Sequence, residues 1–327
     1  MFEGILNGIN SVLGNYGWTI VVFTLLVRLI LMPFDYKSRV SMRKTTQIQP
    51  ELMRLQKKYA NDKEKLNKKT MELYQKAHIS PLSSCLPMLI TFPLLIIMFN
   101  AMRSVAYQQL AQQTFDILLG HEPHLESWLW IKNLWMPDSP FAASWPDLGS
   151  IQIIGADVWQ KIYAALSEAD VAALTANYGL TLESFDAGVI RETVEAMYAA
   201  MAALPEYTAH IAPVPGGTFN LWIATVTLMK NYNGLLILPI LSAVSQYLMT
   251  ALTPTQTTDN AQAQSTNNFM KWFFPIFTLV LCFSYTASFA LYWVASNLIS
   301  MVQTFIINKY LDKKDAQTAP VGEGSVK

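Results

Sequence analysis

Arg28 sits inside the otherwise uncharged apolar run from Tyr16 to Phe34, and no other residue in the chain combines type and place so pointedly. A guanidinium near mid-bilayer costs about 2.5–3.5 kcal/mol on insertion scales, so it faces a bundle interior or a water-filled cavity and marks a path or a binding site. The bland alternative is an arginine that stretches to the nearest interface with no task of its own. Lys37 and Arg39 mark that interface. At ~1.5 Å per residue Arg28 lies roughly 13 to 16 Å below them, about twice the reach of its stem, which favours the cavity. No Asp or Glu lies between Tyr16 and Phe34, so either water or a carboxylate from elsewhere is expected to meet the charge.

Other polar residues recur at helical spacing in apolar runs. Thr24 shares a helix face with Arg28; Trp293, Asn297, Ser300 and Thr304 form one line, and Ser242, Gln246 and Thr250 another. Taken singly, each reads as a hydrogen bond between packed membrane helices. Together with a buried cation they outline a polar site, in which Arg28, Thr24, Gln246, Trp293, Asn297 and Ser300 are the candidate binding residues.

Enzymatic patterns are weak. His78, His121, His124 and His210 have no nucleophile beside them in an apolar run. His121, Glu122, Pro123 and His124 mimic a zinc signature but are one residue short, and Pro123 interrupts the helix such a signature needs. With no phosphate-cradling glycine loop and no metal-spaced cysteines, the reading is of a non-enzyme with no cofactor, no bound metal and no ATP hydrolysis of its own. Cys85 and Cys282 both fall in apolar segments and read as small packing residues.

The elements that must position these residues follow from composition. The chain is 52% hydrophobic and 14% charged, with its apolar residues in long blocks, which excludes an ordinary soluble domain. Its net charge of zero hides segregation: twelve Lys or Arg from Lys37 to Lys76 face four acidic residues, whereas Asp116 to Glu206 holds thirteen acidic residues against Lys132, Lys161 and Arg191. Positive-inside logic places the basic stretch in the cytoplasm and the acidic one outside. The first seventeen residues contain Glu3 and no Lys or Arg, so the positive region of a cleaved signal peptide is missing and the first apolar run is expected to remain as a span.

The resulting expectation is an all-α integral membrane protein of five transmembrane helices, N-terminus outside and C-terminus cytoplasmic. Residues 1–14 read as an external amphipathic interfacial helix and 15–35 as the first span. Residues 36–79 read as a basic cytoplasmic helical hairpin, with Ile48, Leu52, Leu55 and Tyr59 on one stripe, Leu66 and Leu73 on the other, and Asn61 or Asp62 as cap. The second span is placed at 80–105 and an external acidic, helical insertion at 106–218. Within it Asp157–Leu166, Ala169–Tyr178 and Ser184–Leu204 read as helices and Trp128–Gly149 as irregular. Trp128, Trp130, Trp135 and Trp145 either touch the membrane interface or pack inside the insertion. An external approach and third span occupy 219–253, and a flexible cytoplasmic loop 254–270. The charge-free run from Trp272 to Asn308 is nearly twice one crossing, so it is divided at Ser284 to Ser288 into a fourth span, 271–284, and a fifth, 285–308. Residues 309–327 form a cytoplasmic tail, disordered from Gln317.

Several separate stretches resemble the YidC family of membrane protein insertases, whose relatives occur in mitochondria and chloroplasts. They are Leu26, Val27, Arg28, Leu29 and Ile30 before Pro33; Gln49, Pro50, Glu51 and Leu52 to Tyr59; Ser80, Pro81, Leu82, Cys85, Leu86, Pro87 and Met88; and Leu291, Tyr292, Trp293 and Asn297. The resemblance implies a five-helix core around a hydrophilic groove that holds Arg28, opens to the cytoplasm and to lipid, and is closed outside. Hydrophilic substrate tails enter the groove while a hydrophobic segment slides past the third and fifth helices. It also implies recruitment of substrates by the hairpin, whose basic residues include Arg54, Lys57, Lys58, Lys65, Lys68 and Lys69, and nascent membrane proteins, ribosomes and the Sec translocon as partners. Anionic lipids are expected partners too; DNA is not. The implied location is a bacterial cell (plasma) membrane, multi-pass.

The sequence departs from the family pattern in two ways: no large external domain or lipoprotein cysteine precedes the first span, which suits the shorter bacterial forms, and the long insertion is not part of the minimal core. That insertion is expected to be dispensable for groove chemistry. Two other classes compete with the insertase: a small-anion transporter or channel with Arg28 as counter-ion, and a scaffold whose basic hairpin binds ribosomal RNA or lipid.

Overall fold

A computed structural model of the chain describes residues 2–78, 86–221, 224–252 and 261–318. The predicted approach to the second span through Cys85, the first part of the predicted loop after Thr253 and the end of the tail lie outside those residues. Two compact units emerge, one built from Met1–Phe23, Ile96–Ala243 and Phe277–Val294, the other from Thr24–Leu95, Val244–Ile276 and Ala295–Lys327.

The second unit is carried by long helices. Helix α2, Tyr16–Lys58, is one uninterrupted 43-residue helix with Pro33 and Pro50 inside it, so the predicted span and the first arm of the predicted hairpin are a single element. Proline removes one backbone donor and crowds the preceding turn. Both prolines here lie on exposed positions, where the helix continues past them. A turn follows, in which Asp62 N–H bonds Tyr59 O at 3.0 Å, and Asp62 Oδ1 accepts from Lys65 N at 3.0 Å to cap α3, Lys63–Lys76. Leu52 and Leu73, one from each predicted stripe, are the buried apolar residues of the two arms.

Helix α4, Leu86–Leu118, starts in the second unit and runs 33 residues, beyond the predicted end of the second span, because Ala101, Val105, Leu110 and Phe115 continue its buried face. Helices α10, Ile237–Leu252, α11, Ala261–Ser284, and α12, Ala287–Thr318, follow later in the chain, with the break at Tyr285 and Thr286 falling inside the predicted turn. Helix α11 begins inside the segment read as a flexible loop, and α12 carries ten residues past the predicted end of the fifth span. Among the described residues two helices, α2 and α12, are long and apolar enough to cross a membrane; α10 and the apolar part of α11 are shorter apolar helices.

The first unit opens with α1, Phe2–Leu13, whose Leu6 is buried and whose Glu3 accepts from Ser104 Oγ at 2.8 Å and from Gln108 Nε2 at 2.9 Å on α4. Five short helices then follow in the acidic stretch: α5, Leu148–Ile151; α6, Ala156–Tyr163; α7, Glu168–Tyr178; α8, Ile190–Ala202; and α9, Pro205–His210. They close over an aromatic core in which Phe115 lies 5.4 Å from Trp159, 5.7 Å from Phe185 and 5.9 Å from Tyr163, all edge-on. Trp135 and Trp145 are only 1% and 6% exposed, so these two tryptophans pack inside the unit. Trp128 instead meets Trp18, with ring centroids 5.6 Å apart.

The fold class needs one correction. An antiparallel pair of strands, β1, Pro213–Leu221, and β2, Ala224–Met229, precedes α10, so the chain is mostly rather than wholly helical. The β-branched residues Val214, Thr218, Thr225, Val226 and Thr227 favour this conformation, and a bulge between Pro213 and Thr218, with Gly216 at φ +73°, absorbs the register shift.

Candidate functional site

The polar cluster around Arg28 lies within the second unit and is built by α2, α10 and α12. Arg28 is half-buried; its Nη2 donates to Ser296 Oγ at 2.5 Å, and its carbonyl accepts from Gln303 Nε2 at 2.9 Å. One guanidinium bond is therefore met by a hydroxyl of α12. Asp35, two turns along α2 and just beyond the charge-free run, feels the charges of both Arg28 and Arg39.

The cluster extends along α12 at a helical period. Asn297 Nδ2 donates to Ser245 Oγ at 3.1 Å and to Gln246 Oε1 at 3.3 Å, which ties α12 to α10. Arg39 donates to Thr304 Oγ1, whose own hydroxyl bonds Ser300 O at 2.6 Å. Ser38 Oγ, Ser300 Oγ and Gln303 Oε1 are buried with no protein partner within hydrogen-bond distance. A buried polar atom without a partner costs about 1–3 kcal/mol, so these three oxygens are left unsatisfied within the cluster.

Of the predicted binding residues, Arg28, Thr24, Gln246, Asn297 and Ser300 all belong to this unit, and Thr24 is fully buried one turn from Arg28. Trp293 belongs to the other unit, where its ring packs 5.6 Å from Phe289. Ser242 and Thr250, from the same predicted line as Gln246, return their hydroxyls to carbonyls of their own helix, Leu238 O and Gln246 O. Asp35, Arg39, Ser245, Ser296 and Gln303 escaped the sequence reading. Their signal was present: Arg28, Asp35 and Arg39 recur at seven and four residues, and Ser296, Ser300 and Gln303 at four and three, one helix face in each case.

At the far end of α2, Arg43 bonds Asp312 and, at 2.9 Å, Asp315, both on α12. The predicted recruitment residues Arg54, Lys57, Lys58, Lys65, Lys68 and Lys69 are all exposed, with Lys65 near Asp62 at 3.3 Å and Lys69 on Glu72 at 2.6 Å. The short zinc-like sequence at His121 lies in extended chain, and among the described residues no group of His, Cys, Asp and Glu is placed to hold a metal.

Comparison with known proteins gives this geometry a context. Residues 8–184 and 193–314 match the model of the family described as 60Kd inner membrane protein. Proteins named membrane protein insertase YidC are similar along the chain: that of Herminiimonas arsenicoxydans is 27% identical over 303 residues, 93% of this chain and 35% of the relative. That of Pelodictyon phaeoclathratiforme is 26% identical over 318 residues, 97% and 37%. The Fusobacterium nucleatum protein is 43% identical over 100 residues, 31% of this chain and 49% of the relative. The chain thus spans from about a third to half of the length of these relatives. With nearly every described element inside the matched residues, the chain belongs to the 60Kd inner membrane protein family, that of the YidC insertases.

Proposed function

We propose that this protein is a membrane protein insertase that receives hydrophilic tails of nascent membrane proteins in a hydrated, positively charged intramembrane groove and releases their hydrophobic segments into the bilayer without ATP hydrolysis. The observation that carries this reading is the cluster on α2, α10 and α12: a cation at membrane depth within an apolar helix, held by a hydroxyl, on two helices that also carry buried polar atoms without protein partners. Charge attraction is stronger at low dielectric than in water, so such a site draws acidic segments of a chain in transit. Five spans with the N-terminus outside and the C-terminus in the cytoplasm of a bacterium complete the reading. In it α3 and the basic end of α2 form a recruiting hairpin, and ribosomes, the Sec translocon and anionic lipids are partners.

The test is insertion by purified protein in liposomes of substrates that differ only in tail charge. Losing a hydrogen bond to a charged group costs about 1.5–3 kcal/mol, so Arg28→Ala is expected to slow insertion of acidic-tailed substrates roughly tenfold or more, with Arg28→Lys retaining much of the rate. Equal rates for Arg28→Ala and the wild type would remove the groove-charge mechanism. An anion path is less well supported, because the relatives that match along the chain are named insertases. Anion flux through liposomes without any polypeptide substrate would restore it.

A further inference from the structure

A cavity distinct from the Arg28 cluster lies wholly within the first unit. Its volume is about 750 Å³, and its walls come from α4, from the turn between α11 and α12, and from the irregular segment before α5. That volume falls in the range of sites for small organic ligands. Phe99, Met102, Ala106, Leu110 and Phe289 make its apolar wall, and Arg103 brings a cation. The Arg103 guanidinium lies over two rings, 5.8 Å from Phe99 and 5.6 Å from Tyr107, which fixes it at one side of the cavity. Arg103 is exposed, and among the described residues no carboxylate is within ion-pair distance of it. Asp147, which also lines the cavity, is engaged in capping α5 through Ser150 N at 2.8 Å.

The sequence places this cavity at a definite depth. Arg103 is the first charged residue after the apolar run of α4, so Phe99 and Met102 lie within the hydrocarbon edge and Arg103 at the outer interface. Inward of Arg103 the wall is apolar, from Phe99, Met102 and Phe289, and a cation at the interface above an apolar wall matches an amphiphile with an anionic head.

We propose that this cavity binds one glycerophospholipid, with an acyl chain against Phe99, Met102 and Phe289 and the phosphate on Arg103. The proposal rests on α4 crossing the bilayer as the insertase reading requires. The bound lipid fills space between α4 and the α11–α12 turn that protein side chains leave open.

The test is native mass spectrometry of the full chain purified from vesicles of phosphatidylethanolamine and phosphatidylglycerol. Four variants are compared: Arg103→Gln, Arg103→Lys, Ala106→Trp, which fills the cavity without touching the charge, and Arg191→Gln on exposed α8 as control. The expected result is a fivefold or greater loss of retained phospholipid in Arg103→Gln and Ala106→Trp, and retention in Arg103→Lys and Arg191→Gln, with wild-type melting temperatures throughout. Diacylglycerol with the same chains should be retained no better by wild type than by Arg103→Gln. Undiminished phospholipid on Ala106→Trp, or diacylglycerol held as firmly as phospholipid, would overturn the proposal. Insertion rates measured on the same preparations separate its failure from failure of the insertase reading.

Discussion

At the scale of single residues, the chain sets one partly buried histidine against two partly buried carboxyls in ways that solution pH can read. His210 stacks on Trp145, with ring centroids 4.1 Å apart, and its Nε2 lies 2.9 Å from Ser144 Oγ. Burial, and then the nearby Lys132, hold the imidazole below its ordinary value, while Glu122 opposes them weakly. A depressed histidine means the folded state binds fewer protons than the unfolded one, so its contribution is intact above the unfolded value of about 6.5 and is lost as pH falls below it. Burial raises the carboxyls of Asp116 and Glu126, which gives the opposite slope at more acidic pH. The expected outcome is that between pH 7.5 and 5.5 the melting temperature of wild type falls more than that of His210→Asn, read by tryptophan fluorescence. Parallel curves would show that His210 carries no linkage. None of this was legible in the sequence, where His210 is one histidine among four; Arg28, by contrast, announced itself because charge inside an apolar run needs no knowledge of neighbours.

At the scale of elements, α2 and α12 are joined by a ladder of polar contacts: Gln303 to the Arg28 carbonyl, Arg39 to Thr304, and Arg43 to Asp312 and Asp315, with Tyr36 6.1 Å from Tyr310. Its last rung is the weakest. Asp312 and Asp315 are 70% and 59% exposed and Arg43 29%, so water and salt screen the ion pairs to about 0–1 kcal/mol. Arg43→Gln is therefore expected to leave the melting temperature within a degree or two of wild type while increasing hydrogen exchange over residues 308–318. High salt should do the same to wild type. Unchanged exchange in the variant would show that the end of α12 is held by something other than the arginine. The sequence disclosed the cores of these helices, since apolar periodicity fixes which residues are buried. It hid their ends: α2 passes Pro33 and Pro50 unbroken, and α12 passes the lysines at 309 and 313, because helix continuation is decided by contacts between the two helices, such as Gln303 on the Arg28 carbonyl and Arg39 on Thr304, which periodicity within one helix does not reveal.

At the scale of the molecule, the question is what the acidic stretch does for the apolar helices. Sequence reasoning treated 106–218 as an insertion separable from the rest, since its composition and charge differ from those of the spans. Within the first unit, however, the short segment from Glu126 to Asp138 supplies acceptors to the starts of three apolar helices. Glu126 Oε1 accepts from Tyr16 N at 2.9 Å and from Asn15 Nδ2 at 2.8 Å at the head of α2. Asp138 accepts from Leu235 N at 2.8 Å and from Leu238 N at 2.7 Å at the head of α10. The carbonyls of Met136 and Leu134 accept from Ala287 N and Ser288 N, each at 2.9 Å, at the head of α12. Gly234 is required beside this cap, because a Cβ there would fall 2.0 Å from Asp138 Oδ1. Helix starts leave backbone donors unpaired, and in a buried, apolar setting each unpaired donor is costly. The insertion therefore divides into a cap segment that the helices need and an outer set of helices, α6 to α8, that they do not touch through these bonds. Asp138→Ala strands one buried and one part-buried amide and is expected to cost about 2–4 kcal/mol, seen as a clear fall in melting temperature. Asp157→Ala and Glu168→Ala, on the outer helices, are expected not to change it by a comparable amount. If Asp138→Ala matched those two in stability, the cap segment would have no energetic claim on α10, and the whole acidic stretch would revert to a removable addition.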